Sequence, residues 1–159
     1  QMCIRDRTNT VLVSPTGDNA VPPDLTSLPT WILSSAATRS HQVLLALLAQ
    51  EGVNGYEYRC LSALAAADQL SQTDLGAAAA LDPPDVTHTV RALEDRGLVS
   101  RAKDPSHGRR QLVSLTSDGQ RTAKRLADTI VEVQDAVFGN LTRKECATLL
   151  ALLECVARP

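Results

Sequence analysis

Between Pro84 and Arg91 the chain sets Asp85, Thr87, His88 and Arg91 within two helical turns. These residue types can read a nucleic acid. A guanidinium or imidazole donates to guanine acceptors or to phosphates, and threonine meets a base edge or a thymine methyl. Asp85 either accepts from cytosine, orients a neighbouring arginine, or simply favours the positive end of a helix. Further along, Arg101, His107, Arg109 and Arg110 form a second basic group around the glycine at 108. Guanidinium groups on a flexible tip can reach into a narrow A·T-rich minor groove.

Such side chains need a frame. Asp82 suits a helix N-cap and Pro83 the first helical turn, where no backbone donor is needed. The helix they open should run to about Arg96, with Val86, Val90 and Leu93 inward, and stop at Gly97. Before it, Ser71-Gln72-Thr73-Asp74 is a capping-box-like start to a short helix carrying Leu75 and Ala78. After it, β-like runs at Leu98 to Lys103 and Gln111 to Leu115 flank the turn-rich tip from Asp104 to Arg110. Two tightly joined helices followed by a hairpin make a winged helix-turn-helix, whose second helix fits a major groove. The predicted fold is therefore mainly α with a small β-hairpin wing (α+β).

Longer helices surround this frame. One should run from Trp31 to about Glu51, capped by Thr30 and ended by Gly52 and the turn Asn54-Gly55. Another covers about Tyr56 to Ala67. A long helix from Thr116 or Ser117 to about Phe138 carries the stripe Leu126, Ile130, Val133, Val137. Gly139-Asn140 breaks it, and Thr142-Arg143-Lys144-Glu145 opens a last helix to about Ala157, striped by Leu149, Leu152, Leu153 and Val156. These stripes exceed what so small a module buries, which points to a second subunit as their cover. Residues 1–28, rich in turn formers and without periodicity, are expected to be disordered. Their opening string, Gln1 to Arg7, has the look of translated adaptor read-through, non-native to the protein.

The chain has 159 residues, 43% apolar and only 3% aromatic, as an ordinary helical domain would. Its net charge of −2 opposes nucleic-acid binding until the charges are located. Residues 1–87 carry 4 basic and 9 acidic side chains, residues 88–125 carry 9 and 4, and residues 126–159 carry 3 and 5. The middle segment is thus a patch of net +5 on an acidic body, suited to phosphates. No apolar run spans a bilayer and no signal peptide is recognisable, so a cytoplasmic protein without membrane contact is expected. Cys3, Cys60, Cys146 and Cys155 show no zinc spacing, and His41, His88 and His107 are scattered. No phosphate loop, nucleophile elbow or paired-carboxylate motif occurs, so neither enzyme nor cofactor is expected.

Taken in order, these motifs resemble the MarR family of multiple-antibiotic-resistance regulators. The matching residues are Ser71 to Gly76, Val86 through Leu93 to Arg101, Asp104-Pro105 through to Arg109, and Val113 to Thr116 with Gly119. The spacing from Leu75 to Gly119 needs no gaps, and looser similarity covers about residues 31–157. The resemblance implies one domain over 29–157, with a winged helix-turn-helix at about 56–116 and dimerisation helices at about 31–51 and 117–157. It also implies a homodimeric repressor on a palindromic operator in double-stranded DNA, modulated by a small-molecule effector. One departure stands in the wing, where the family usually has a second Asp and this chain has His107. His107 cannot pair with a nearby arginine as that acid would, which leaves the role of Arg101 open. Protonated, His107 would add a phosphate donor.

Effectors in the family often sit between the DNA-binding lobe and the dimer helices, where the candidates are Trp31, Arg39, His41, Tyr56, Arg59 and Cys60. Tyr56 and Cys60, four apart, share a helix face. Two alternatives stay open at this point: a winged-helix module that binds protein rather than DNA, and a redox-responsive regulator using Cys60.

Overall fold

Local end signals decide where the helices start and stop in the computed structural model, which describes residues 24–106 and 110–158. The chain divides into two units, residues 41–136 and residues 1–40 together with 137–159.

The unit 41–136 begins in the second half of α1 (Pro29–Gln50). Gly52, at φ 66°, turns the chain out of that helix, and the Val53 N–H donates back to the Leu48 carbonyl at 3.0 Å. This left-handed closure satisfies carbonyls the helix end leaves open. In α2 (Gly55–Ala66) Asn54 accepts from the Tyr56 and Glu57 N–H groups, both at 2.9 Å, while Glu57 accepts from the Asn54 N–H at 3.0 Å. This reciprocal capping box has Asn in place of Ser or Thr.

Next come β1 (Leu70–Ser71), α3 (Gln72–Ala79) and α4 (Pro83–Asp95). Ser71 caps α3 through the Asp74 N–H, and the helix ends on Ala80 in a left-handed conformation, φ 49°. Gly76 lets α3 and α4 meet closely: a Cβ there would lie 3.1 Å from Val86 Cγ2 and 3.2 Å from the Leu81 carbonyl oxygen. Proline at its first positions opens α4, and Gly97, at φ 69°, closes it with the Leu98 N–H on the Leu93 carbonyl at 2.9 Å.

Strands β2 (Val99–Lys103) and β3 (Gln111–Leu115) pair antiparallel, Arg101 opposite Val113 and Lys103 opposite Gln111. β1 joins the other edge of β3, Leu70 opposite Val113, giving the order β1-β3-β2. Leu61, Leu75, Val86, Val90, Leu93, Val113 and Leu126 fill the core that these elements enclose. The helix α5 (Ser117–Phe138) is fastened at its start by Thr116, whose hydroxyl donates to the Gly97 carbonyl at 2.7 Å and accepts from the Gly119 N–H at 3.1 Å. A Cβ on Gly119 would lie 1.9 Å from the Leu98 carbonyl oxygen, so only glycine fits that approach.

The terminal unit holds a short turn at Leu25–Ser27, the first half of α1, the end of α5, and α6 (Arg143–Ala157). A second capping box opens α6, with the Thr142 N–H on Glu145 at 2.8 Å and the Glu145 N–H on the Thr142 hydroxyl at 3.3 Å. None of the described residues of this unit is buried. Trp31, Ile32, Leu150, Leu152 and Val156 are among its exposed apolar side chains, Val156 at 69%.

Four expectations need correction. The wing's hairpin gains a third strand, because two residues before α3 add to the free edge of β3. Asp82 holds the N-cap backbone position of α4 without a side-chain hydrogen bond. α1 starts at Pro29, so Thr30 lies inside its first turn rather than capping it. Within the stretch expected to be disordered, Asp24 caps the Leu25–Ser27 turn through the Thr26 N–H at 3.1 Å; residues 1–23 lie outside the described part. Among the described residues no helix is long and apolar enough to cross a membrane.

Candidate nucleic-acid interface

Helix α4 divides cleanly. Val86, Thr89, Val90 and Leu93 face the core, while Pro84, Thr87, His88 and Arg91 form an exposed row at steps of three, one and three. That spacing is one helical face. Asp85 is half-buried at its edge. The Thr87 hydroxyl donates to the Pro83 carbonyl at 2.9 Å. Its proton is therefore engaged, leaving an acceptor oxygen and a methyl group for any partner. His88 and Arg91 make no hydrogen bond or ion pair with the described residues.

The other arginines of the basic segment are differently placed. Arg101, on β2, forms an ion pair with Glu94 of α4, and both are exposed or half-exposed. The Arg101 hydrogen bond holds the Glu94 carboxyl below its ordinary range, and Glu94 in turn raises Arg101. Arg110 pairs with Asp74 at the start of α3, and its Nε lies 4.0 Å from Asp104. The Asp74 carboxyl is lowered first by the Ser71 hydroxyl, which donates to it at 2.7 Å, and then by Arg110. Arg96, Arg121 and Arg125 are paired with Glu57, Asp118 and Glu51. Three of these acidic partners, Glu51, Glu57 and Asp74, lie outside the basic segment, so part of its net +5 is neutralised by side chains distant in the sequence. Among the described residues of that segment, Arg91, Lys103 and Lys124 are the cations without one. Lys103, exposed on β2, was not singled out from the sequence; its charge on a wing strand was the available signal. His107 and Arg109 lie outside the described residues.

A cavity of about 560 Å³ opens between the end of α1 and the start of α2. His41, Leu44 and Leu45 line it from α1, and Asn54, Gly55, Tyr56, Tyr58 and Arg59 from α2. Of the six residues singled out for an effector, His41, Tyr56 and Arg59 are brought together here. Trp31 and Arg39 belong to the terminal unit and do not line the cavity. Cys60 does not line it either, being fully buried in the core. Tyr56 has Arg59, three residues on, as its companion on the cavity side, and Cys60 turns inward. Burial pushes the Cys60 thiol up to about 11, against the lowering effect of Arg59. A fully buried thiol raised in this way weighs against Cys60 as a redox sensor. Leu44, Leu45, Asn54 and Tyr58 were missed because the two walls come from different helices.

Three helices, a three-stranded sheet with a wing, and an exposed polar row on the helix that follows the tight turn define a winged helix-turn-helix protein. The comparisons with known proteins give the same class. The MarR family profile matches residues 51–110. An HTH-type transcriptional repressor of Mycobacterium tuberculosis is 34% identical over 110 residues, covering 69% of this chain and 78% of its own length. The PcaV transcriptional regulator of Streptomyces coelicolor, solved in complex with its natural ligand, is 31% identical with a TM-score of 0.69, over 87% of this chain and 96% of that one. A variant of MarR from Escherichia coli, solved in complex with operator DNA, has a TM-score of 0.71 at 22% identity, over 80% of this chain and 91% of that one, a likeness of fold. The chain belongs to the MarR family of transcriptional regulators.

Proposed function

We propose that the protein is a homodimeric repressor that binds a palindromic operator in double-stranded DNA and is released by a small-molecule effector. The row Pro84, Thr87, His88, Arg91 on α4 carries this reading, because two of its side chains have no partner among the described residues. Arg91 and His88 would read base edges in the major groove, Thr87 would contact a thymine methyl, and Asp85 would orient Arg91 or accept from cytosine. His107 and Arg109 remain the proposed wing contacts. Arg101 and Arg110 take a second role beside phosphate contact, since their pairs with Glu94 and Asp74 tie the wing to α4 and α3. Support for the dimer comes from the terminal unit, whose apolar side chains lack cover in one chain. The cavity between α1 and α2 is the proposed effector site. Its wall of Leu44, Leu45, Tyr56 and Tyr58 with a few polar groups has the make-up of a small-molecule pocket.

The test is fluorescence anisotropy with DNA from upstream of the protein's own gene, at two salt concentrations. Specific binding that falls steeply with salt is expected. Arg91→Ala should cost about tenfold on the specific site, an effect of one bidentate contact, and little on random DNA. Equal affinity for both DNAs would overturn the specific operator, and no binding to either would leave a protein-binding winged helix as the better reading.

A further inference from the structure

Helix α2 packs against α4 and ties it at both ends. At the far end, Glu57 accepts from Arg96, the C-cap residue of α4, at 2.9 Å. At the near end, the Arg59 guanidinium donates to the carbonyl of Ala80. Residues two apart do not share a helix face, so the two ties leave α2 on different sides. Their anchor points differ in rigidity. Arg96 sits at a regular helix end, with its own N–H on the Ala92 carbonyl and the Leu98 N–H on the Leu93 carbonyl. Ala80 is an exposed residue at φ 49°, in a left-handed reversal of the kind that Gly52 and Gly97 make elsewhere. A residue with a Cβ adopts that conformation at a cost, so the turn keeps it only where its surroundings hold it.

We propose that Arg59 is a positioning residue for base reading. By holding the Ala80 carbonyl it fixes the strained turn, and through it the angle at which α4 presents Pro84, Thr87, His88 and Arg91. This rests on the reading of α4 as the DNA-contacting helix. The exposed row begins four positions after Ala80, in the half of α4 that the turn controls. With the C-cap end held by Glu57, a loosened turn lets α4 swing about Arg96. A swing of about 10° carries Pro84 by about 3 Å, at a rise of about 1.5 Å per residue. Hydrogen bonds to base edges fail over such a distance, because they need close and nearly linear geometry. The attraction of basic side chains to phosphates is sequence-independent and tolerates the shift. Arg59 therefore acts on specificity more than on the general affinity for DNA.

The experiment uses the full chain with DNA from upstream of its own gene and random DNA beside it, with no small molecule added. Arg59→Ala should lose about fivefold on the specific site, the worth of one ordinary hydrogen bond, and about twofold or less on random DNA. Arg59→Lys, which keeps a donor, should recover part of the loss. Ala80→Gly supplies a residue that takes the left-handed turn at no steric cost. In that background Arg59→Ala should cost about twofold or less on the specific site, so that the two substitutions couple rather than add. Hydrogen exchange without DNA separates the turn from the rest of the fold. Arg59→Ala should speed exchange at the Leu81 amide, which donates to the Gly76 carbonyl at 2.9 Å, and leave the Leu98 amide at the other end of α4 unchanged. The proposal is overturned by equal losses on the two DNAs, by the same cost of Arg59→Ala in both backgrounds, or by equal speeding at Leu81 and Leu98. If the unaltered protein binds the two DNAs alike while the exchange pattern is as expected, the functional reading is overturned instead.

Discussion

Residues 41–136 and the terminal helices are built from similar Ala- and Leu-rich sequence, yet they end in different physical states. The first unit holds every residue of the hydrophobic core, from Leu48 to Leu126, while no described residue of the second is buried. Capping does not explain the contrast, because Asn54 and Thr142 both make full capping boxes. The difference lies in topology. Chain reversals at Gly52, Ala80 and Gly97 fold one set of stripes onto each other, whereas α6 half-buries Leu149 and Leu153 and leaves Leu150, Leu152 and Val156 exposed. An amphipathic pattern therefore states a demand for burial without saying which chain meets it.

That contrast can be broken in graded steps. Leu93→Ala empties a fully buried site in the central unit and should cost about 3 kcal/mol at every protein concentration, read by denaturant unfolding. Leu152→Asp alters a side chain 61% exposed in one chain. It should leave the central unit's stability alone yet raise the dimer dissociation constant about tenfold or more in analytical ultracentrifugation, since a charge would enter an apolar interface. If it changes neither association nor DNA binding, the terminal helices are not the dimer contact. Thr142→Ala removes the α6 cap and should cost about 1 kcal/mol, visible as faster amide exchange at Glu145 and Cys146.

Two smaller effects depend on pH. Because the folded Cys60 thiol is raised to about 11, its contribution is complete below the ordinary thiol pKa and lost as pH rises through the folded value. Stability should decline from about pH 9 to 11 through this group, and the decline should shrink in Cys60→Ala. Asp74 has the opposite sign. Its lowered pKa gives a contribution present above the ordinary carboxylate range and lost as pH falls through the folded value. Asp74→Asn should therefore weaken the protein at neutral pH, with the difference closing below about pH 4.

Most of the frame was legible because its signals are local. Pro83 with Gly97 bounds α4, Ser71 opens α3, Thr142 with Glu145 opens α6, and the buried face of α4 follows from Val86, Val90 and Leu93. What was not legible depends on residues distant in the chain. β1 has only two residues, too few to show alternation, and exists because β3 offers it an edge. The pairing of Arg110 with Asp74 spans 36 positions, and that of Arg96 with Glu57 spans 39. A charge count by segment registers such arginines as a patch, although their partners lie in the segment assigned to the acidic body. The cavity's full lining escaped for the same reason, and its His41, Tyr56 and Arg59 were marked only through the family resemblance.

The bare stripe of α6 also bears on dosage. If a second copy covers it, ordering of these helices is a bimolecular event, and the population of complete regulators grows faster than linearly with the amount of chain made. Scarce chains would remain single, with Leu150, Leu152 and Val156 open to solvent and to proteases. The apolar face would thus act as a threshold: synthesis below it yields chains that are cleared, and synthesis above it yields repressors.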